Sequence, residues 1–190
     1  MKIKIGFFAV LLFLSLFFSH PLFSFAAMFA ALLHELGHLL AARICGIRMK
    51  EFSLNLFGAG LTPVDSLYSY FDEIILCLGG PLANLFFGSA LLLLPIHSSD
   101  FFHFFIFSSF AYGFLNLLPI KAFDGGRILR ALLLYFLPLR PTETLLSLLS
   151  FICIFGLWSL SVYLLLRTAS SLSLFVFSLS LFSRFFLPEE

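Results

Sequence analysis

Six apolar segments run through this chain of 190 residues and constrain its fold more than any other feature. They lie near residues 5–19, 22–44, 72–94, 101–118, 144–166 and 170–187. A helix needs about 20 apolar residues to cross a bilayer, so the first and last segments are short. Only 11% of the residues are charged, whereas about 25% is usual in soluble domains. The sequence therefore predicts an all-α polytopic membrane protein, with about six transmembrane helices in a single domain covering residues 1–190.

The basic residues predict how the chain is inserted. With six spans, all but one of the 11 Lys and Arg residues fall on the side that holds the N-terminus, the exception being Arg167. Because basic loops stay in the cytoplasm, we expect a multi-pass cell-membrane protein with both termini cytoplasmic. The net charge is only +1, so the chain lacks the basic surface of a nucleic-acid-binding protein, and no nucleic-acid partner is expected.

The N-terminal residues 1–27 also fit a secretory signal, because Lys2 and Lys4 precede an apolar core. Cleavage near Ala27 would remove the first turns of the second span and leave it too short to cross a bilayer. We therefore expect the first span to stay uncleaved.

The second apolar segment contains His34-Glu35-Leu36-Gly37-His38, in which Glu35 is the one acid among residues 1–50. A charge inside the membrane costs about 2.5–3.5 kcal/mol and so needs a compensating partner. Residues four apart share one face of a helix, so His34 and His38 can bind one metal ion. Zinc lowers the pKa of a bound water to about 7, and Glu35 can accept the proton. The alternative is a set of polar residues that only hydrogen-bond between helices.

A catalytic zinc site has a third protein ligand and one open position. Cys45 lies about 10 Å along the helix axis from His38, which is too far to share an ion. Asp124 is the strongest candidate, because the fourth segment returns the chain to the side that holds the histidine pair. The alternative for Asp124 is a cap for a helix that begins at Arg127.

These motifs resemble those of the site-2 intramembrane zinc metalloproteases. Residues 34–38 match that family's HExxH motif, and residues 116–125 match its NxxPxxxxDG motif. Residues 80–84, Gly-Pro-Leu-Ala-Asn, resemble the GPxxN motif often found between the two. The chain looks most like the stage IV sporulation protein FB branch of the family, and we expect neither a CBS nor a PDZ domain.

The resemblance implies a zinc metalloendopeptidase that cleaves a membrane-tethered protein substrate within or near its transmembrane segment, on the cytoplasmic side. His34, His38 and Asp124 would bind one zinc ion per chain, and Glu35 would be the catalytic general base. Asn84 would contact the substrate, or would only hydrogen-bond between helices. In the sporulation branch the substrate is a sigma-factor precursor, and a regulatory partner in the membrane is compatible with this interpretation.

Three further segments have a predicted local structure. Residues 51–62 partly alternate apolar and polar side chains, which predicts a short strand or hairpin dipping into the membrane, with an interfacial loop as the alternative. By resemblance, this strand would hold an unwound substrate by strand addition. Residues 127–139 predict an amphipathic surface helix. The Ser-rich residues 170–183 are expected to be helical, because a lone strand leaves its backbone unpaired in lipid.

Two other functions use some of the same residues. A metal transporter would use the histidines as a transit site, but would carry ionisable groups across the depth of the bilayer. The fifth and sixth segments have none before Arg167. An inactive scaffold would bind a client helix without cutting it, and would not need Glu35 together with three metal ligands.

Overall fold

The computed structural model describes residues 2–5, 21–47, 49–55, 58–63, 69–94, 99–168 and 172–186. Its elements, in chain order, are β1 (Lys2–Ile5), α1 (Pro21–Ile44), β2 (Met49–Asn55), β3 (Gly58–Pro63), α2 (Tyr70–Leu93), α3 (Asp100–Asn116), α4 (Asp124–Phe136), α5 (Leu139–Thr168) and α6 (Leu172–Phe186). The chain divides into two compact units, residues 1–117 and residues 118–190. That both belong to a single integral membrane domain stays a prediction.

Helices occupy five of the six predicted apolar segments. Among the described residues, three helices are long and apolar enough to cross a membrane, judged by length and composition: Pro21–Ile44, Tyr70–Leu93 and Leu139–Arg167. Helices α3 and α6 have 17 and 15 residues. At about 1.5 Å per residue both are shorter than a hydrocarbon core of roughly 30 Å. The first predicted span lies outside the described residues apart from Ile5, so the count of six stays a prediction.

Local chemistry sets where the long helices of the first unit begin. Helix α1 starts at Pro21, and proline suits this position because the first helical N–H has no partner within the helix. Helix α2 follows a capping box in which the Ser69 hydroxyl accepts a hydrogen bond from the Asp72 N–H at 3.1 Å. The Asp72 carboxylate in turn accepts one from the Ser69 N–H at 3.2 Å. These two bonds satisfy N–H groups that the helix itself leaves unpaired.

Small residues let α1 and α2 approach closely. A Cβ atom added at Gly37 would run into the carbonyl oxygen of Gly79 and lie 2.7 Å from the Cβ of Ala83. Helix α3 packs against both helices, and a Cβ added at Gly113 would lie 3.3 Å from the carbonyl oxygen of Pro81. Glycine and alanine at such crossings bring backbones together, as is typical of membrane helices. The three helices thereby enclose the polar middle of α1.

A three-stranded sheet also belongs to the first unit, in the order β1-β2-β3. Strand β1 pairs parallel to β2, and β2 pairs antiparallel to β3. The two antiparallel strands occupy most of residues 51–62, for which the sequence predicts a short strand or hairpin. Strand β1 is not among the sequence predictions. Insertion of this sheet into a membrane, and its pairing with a substrate, stay predictions.

In the second unit, α4 begins three residues earlier than the Arg127 start that the sequence predicts. Phe123 occupies the N-cap and Asp124 is the first helical residue. Asp124 therefore lies in the first turn of α4 and not at its N-cap position. A helix in this segment is confirmed, whereas its position at a membrane surface stays a prediction.

The Ser-rich segment is helical where it is described, as the sequence predicts. The Ser178 hydroxyl donates to the carbonyl oxygen of Phe175 at 2.9 Å, and that of Ser180 donates to Phe177 at 2.6 Å. The hydroxyl of Ser178 also lies 2.8 Å from that of Ser161 on α5, and both residues are buried. The serines therefore join α5 to α6 without exposing unpaired polar groups to an apolar environment.

Candidate metal centre

The histidine pair and its neighbouring acid lie on the inner face of α1. His34, Glu35 and His38 are all buried, with exposed fractions of 3%, 5% and 7%. Leu36 and Leu40 lie on the opposite face, with exposed fractions of 60% and 62%. The apolar side of α1 is thus available to lipid, while the motif faces α2 and α3. Buried ionisable residues that face the interior of a helical bundle are typical of functional sites in membrane proteins.

The two imidazole rings bring one nitrogen each to the same point. Nε2 of His34 lies 3.1 Å from Nε2 of His38. Two zinc–nitrogen bonds of about 2.0–2.1 Å in a tetrahedral arrangement hold their nitrogens about 3.3 Å apart, so the observed spacing fits one shared ion. A carboxylate oxygen of Glu35 and one ring nitrogen from each histidine all lie within 4.8 Å of one another. The cluster therefore has the donor set of a metal site with an acid beside it.

A backbone carbonyl on α2 orients His38. Its Nδ1 lies 2.7 Å from the carbonyl oxygen of Leu76. A carbonyl oxygen can only accept a hydrogen bond, so Nδ1 carries the proton and Nε2 keeps its lone pair. A ring nitrogen held in this way is the usual support for a metal-binding histidine.

Gly80 leaves open the space in front of both histidines. A Cβ atom added there would lie 2.5 Å from Nε2 of His38 and 2.7 Å from Nε2 of His34. These separations are shorter than carbon–nitrogen van der Waals contact, so any side chain at position 80 would fill the position of an ion bound to both rings. The cradle and its nitrogen donors fit zinc.

Asn84 lies against His34 rather than at an exposed surface. Its side chain is fully buried, and its Nδ2 is 3.4 Å from Nδ1 of His34. The ring of Tyr112 on α3 meets the His34 ring edge-on, with centroids 4.9 Å apart. The structure thus brings Asn84 to the histidine pair through a contact between α2 and α1. Its contact with a substrate stays a prediction.

Asp124 begins α4 in the second unit and is buried. The turn before it is held by α5, where the Ser150 hydroxyl accepts a hydrogen bond from the Lys121 N–H at 3.0 Å. The same hydroxyl donates to the carbonyl oxygen of Pro119 at 3.2 Å. Glu143 forms an ion pair with the Lys121 ammonium at 3.2 Å. His34, Glu35, His38 and Asn84 come together within the first unit, and the role of Asp124 as third ligand stays a prediction.

Two residues contribute to the centre in ways that the sequence motifs do not reveal. Leu76 acts through its backbone carbonyl, so its side chain carries no signal. Gly80 does carry one, because a glycine followed by proline inside an apolar helix costs stability and so calls for a reason. Its spacing of four from Asn84 places both residues on one face of α2.

Comparison with known proteins defines the class. Residues 7–184 match the family described as Peptidase M50B-like. Because the match covers most of the chain, the protein belongs to this family, the site-2 proteases. The family match and the long apolar helices agree on a helical integral membrane protein.

Two curated proteins are similar to this chain over part of their length. The chain is 32% identical over 162 residues to stage IV sporulation protein FB of Bacillus subtilis, covering 81% of this chain and 55% of that protein. It is 30% identical over 110 residues to a zinc metalloprotease of Methanocaldococcus jannaschii, covering 55% of this chain and 32% of that protein. The chain thus spans about half the length of the first relative and about a third of the second.

One solved structure shares the fold. The site-2 protease from Methanocaldococcus jannaschii matches with a TM-score of 0.65 at 22% identity, covering 96% of this chain and 88% of that chain. The likeness extends over nearly the whole chain, so it supports the architecture described above.

Proposed function

We propose that this protein is a zinc-dependent intramembrane endopeptidase. The observation that carries the proposal is the pair of Nε2 atoms 3.1 Å apart, buried in an apolar helix with Glu35 beside them. The membership of a protease family supports it. Gly80 also fits the proposal, since any side chain at that position would lie within 2.7 Å of both Nε2 atoms.

Each residue of the centre has a role in this proposal. His34 and His38 hold one zinc ion per chain, and Asp124 is the third ligand. Zinc supplies a Lewis acid that polarises the scissile carbonyl and lowers the pKa of water. Glu35 takes the proton from the attacking water and passes it to the leaving amine, as a general base and then a general acid. Asn84 lies where it can contact the substrate backbone or support a ligand.

The substrate is a membrane-tethered protein, cut within or near its transmembrane segment on the cytoplasmic side. The exposed leucines on the outer face of α1 support residence in lipid, where such a substrate would be met. A helical peptide bond is shielded by its own hydrogen bonds, so the substrate must unwind, and the edge of the β1-β2-β3 sheet is the candidate support for the unwound strand. The resemblance to the sporulation branch makes a sigma-factor precursor the first substrate to examine, together with a regulatory partner in the membrane.

The test is a survey of new protein N-termini in the native cell under starvation. Cells that produce the natural protein are compared with cells that produce Glu35→Gln at matched levels. We expect N-termini inside or just cytoplasmic of a transmembrane segment that appear only with Glu35. Loss of a general base lowers cleavage by about 10²–10⁴-fold, so these termini should vanish in the variant.

Metal content and a matched variant complete this experiment. Glu35→Gln should keep one zinc per chain, since Glu35 is not a ligand, whereas Asp124→Asn should lose both zinc and the termini. Glu73→Gln makes the same chemical change in the first turn of α2 and should leave both unchanged. Identical N-terminal profiles for the natural protein and Glu35→Gln, with zinc bound to both, would reject the protease and favour a transporter or a scaffold.

A further inference from the structure

The two polar atoms of the Asn84 amide have different surroundings. Nδ2 lies 3.4 Å from Nδ1 of His34, whereas Oδ1 is buried with no hydrogen-bond partner among the described residues. A buried carbonyl oxygen without a donor is destabilising. An orientation of the amide that offers Oδ1 a donor is therefore favoured whenever one is available.

The contacts around the two histidines assign their protons. His38 donates from Nδ1 to Leu76, so its Nε2 bears a lone pair. Nε2 of His34, 3.1 Å away, donates to that lone pair. Nδ1 of His34 is then an acceptor, and it takes its hydrogen bond from Nδ2 of Asn84.

A shared metal ion requires the other tautomer of His34. Both Nε2 atoms must then offer lone pairs, so His34 carries its proton on Nδ1, and this proton needs an acceptor. Nδ2 of Asn84 cannot accept, but turning the amide by about 180° about its Cβ–Cγ bond exchanges the nitrogen and the oxygen. The oxygen that lacks a partner then faces the new donor.

We propose that Asn84 is a positioning residue of the metal centre. Its Oδ1 accepts a hydrogen bond from the Nδ1–H of His34 and thereby keeps the Nε2 lone pair of His34 directed at the ion. The orientation of the amide is coupled to metal binding, because each tautomer of His34 calls for a different amide atom. This inference rests on the zinc site proposed above and assigns Asn84 a task separate from substrate contact.

One face of α2 then supports both metal-binding histidines. Leu76, Gly80 and Asn84 are four residues apart and so lie in a row along that face. The carbonyl of Leu76 orients His38, Gly80 leaves room for the ion, and Asn84 orients His34. The row matches the four-residue spacing of the two histidines on α1, with the helices running in opposite directions.

The zinc affinity of the purified full-length protein tests this assignment, measured by competition with a chromogenic zinc chelator. Asn84→Leu removes the acceptor at similar volume and should weaken zinc binding about 10- to 100-fold, the usual cost of losing such a support. Asn84→Asp keeps an acceptor facing His34 and should bind zinc at least as tightly as the natural protein. Tetrahedral Co²⁺ absorption should follow the same order.

Ser109→Ala is the matched control, since Ser109 is also fully buried in the first unit and its hydroxyl has no hydrogen-bond partner in the part of the chain that the structure describes. It should leave zinc affinity unchanged. If the Asn84→Leu protein binds zinc as tightly as the natural protein, the proposal is overturned. Equal losses of zinc affinity and melting temperature in Asn84→Leu and Asn84→Asp would indicate a structural role and overturn it too.

Substrate contact is separated from positioning by kinetics on a protein found in the N-terminal survey. A raised KM in Asn84→Leu with unchanged zinc affinity would assign Asn84 to the substrate and overturn the positioning role. Failure of the protease proposal gives a different result from failure of the positioning role. No cleavage that depends on Glu35 is then detected, while zinc affinity still differs between Asn84→Leu and Asn84→Asp.

Discussion

Both units bury polar side chains among apolar helices, but they satisfy them in different ways. In the second unit, the hydroxyls of Ser161 and Ser178 each have an acceptor within their own helix, a carbonyl three residues earlier at 2.7 and 2.9 Å, in addition to their 2.8 Å contact with each other. In the first unit, Nδ1 of His38 and Nδ2 of Asn84 bond to another helix, at Leu76 and His34.

This difference separates buried polar side chains that only hold helices together from buried polar side chains that form a site. A short hydroxyl reaches a carbonyl of its own turn, so a serine needs no partner from elsewhere. An imidazole or an amide has two polar ends, and the second end is left for another helix or a ligand. The predictions below test whether this distinction has the expected consequences.

The largest expected effect is that of Gly80→Ala. The added methyl group would lie 2.5 and 2.7 Å from the two Nε2 atoms, so bound zinc should fall to background and cleavage should fall with it. Metal analysis of the purified protein measures the first effect. Gly156→Ala is the matched control, because a Cβ at that position meets no atom within 4 Å and zinc should be retained. One zinc per chain in Gly80→Ala would contradict the site.

A smaller effect is expected from Gly37→Ala, which tests the helix contact that holds the first unit together. The new methyl group would run into the backbone of α2 at Gly79, and such overpacking typically costs about 1–3 kcal/mol. The thiol of Cys77 is fully buried on α2, so its labelling rate reports opening of this unit in a Cys45→Ser, Cys153→Ser background. Labelling should accelerate by about 5- to 150-fold.

Gly88→Ala controls for the loss of a helical glycine alone. A Cβ at Gly88 would make ordinary contacts at 3.5 Å, so the labelling rate of Cys77 should hardly change. If Gly37→Ala and Gly88→Ala label equally fast, the close approach of α1 and α2 does not determine the stability of the first unit.

The smallest effect is expected from Ser161→Ala. Each hydroxyl has one proton and an acceptor within its own helix, so the substitution removes only the contact between the two hydroxyls and should cost no more than about 0.6 kcal/mol. The single tryptophan, Trp158, lies on α5 and reports unfolding in a detergent titration by its fluorescence. Ser159→Ala changes an exposed serine and provides the baseline. A cost above about 2 kcal/mol for Ser161→Ala would show that the contact between the two serines stabilises the second unit beyond the hydrogen bonds within each helix.

Much of the fold and part of the site were predictable because the relevant interactions are local. The four-residue spacing of His34 and His38 puts them on one face of any helix, so their pairing follows from the sequence. The helical state of the Ser-rich segment follows from the cost of unpaired backbone in lipid. Helix α4 begins at Asp124, three residues before the predicted start at Arg127, and its N-cap is Phe123, a residue type that does not mark a helix start in a sequence.

The rest depends on contacts between residues far apart in the chain. The proximity of Asn84 to His34 joins residues 50 apart, and the bond from His38 to Leu76 uses a backbone atom that no side-chain pattern reveals. Resemblance to the family's motifs drew attention to Asn84, but not to the ring that it touches.

Periodicity and hydrophobicity act within single segments, so the chain's own residues place the His-Glu-His motif in an apolar helix. Which ring nitrogens face each other, and which atoms orient them, follows from the packing of three helices, because a histidine's tautomer depends on the hydrogen-bond partner that another helix brings to it. Here the small residues between α1 and α2 bring that partner within reach.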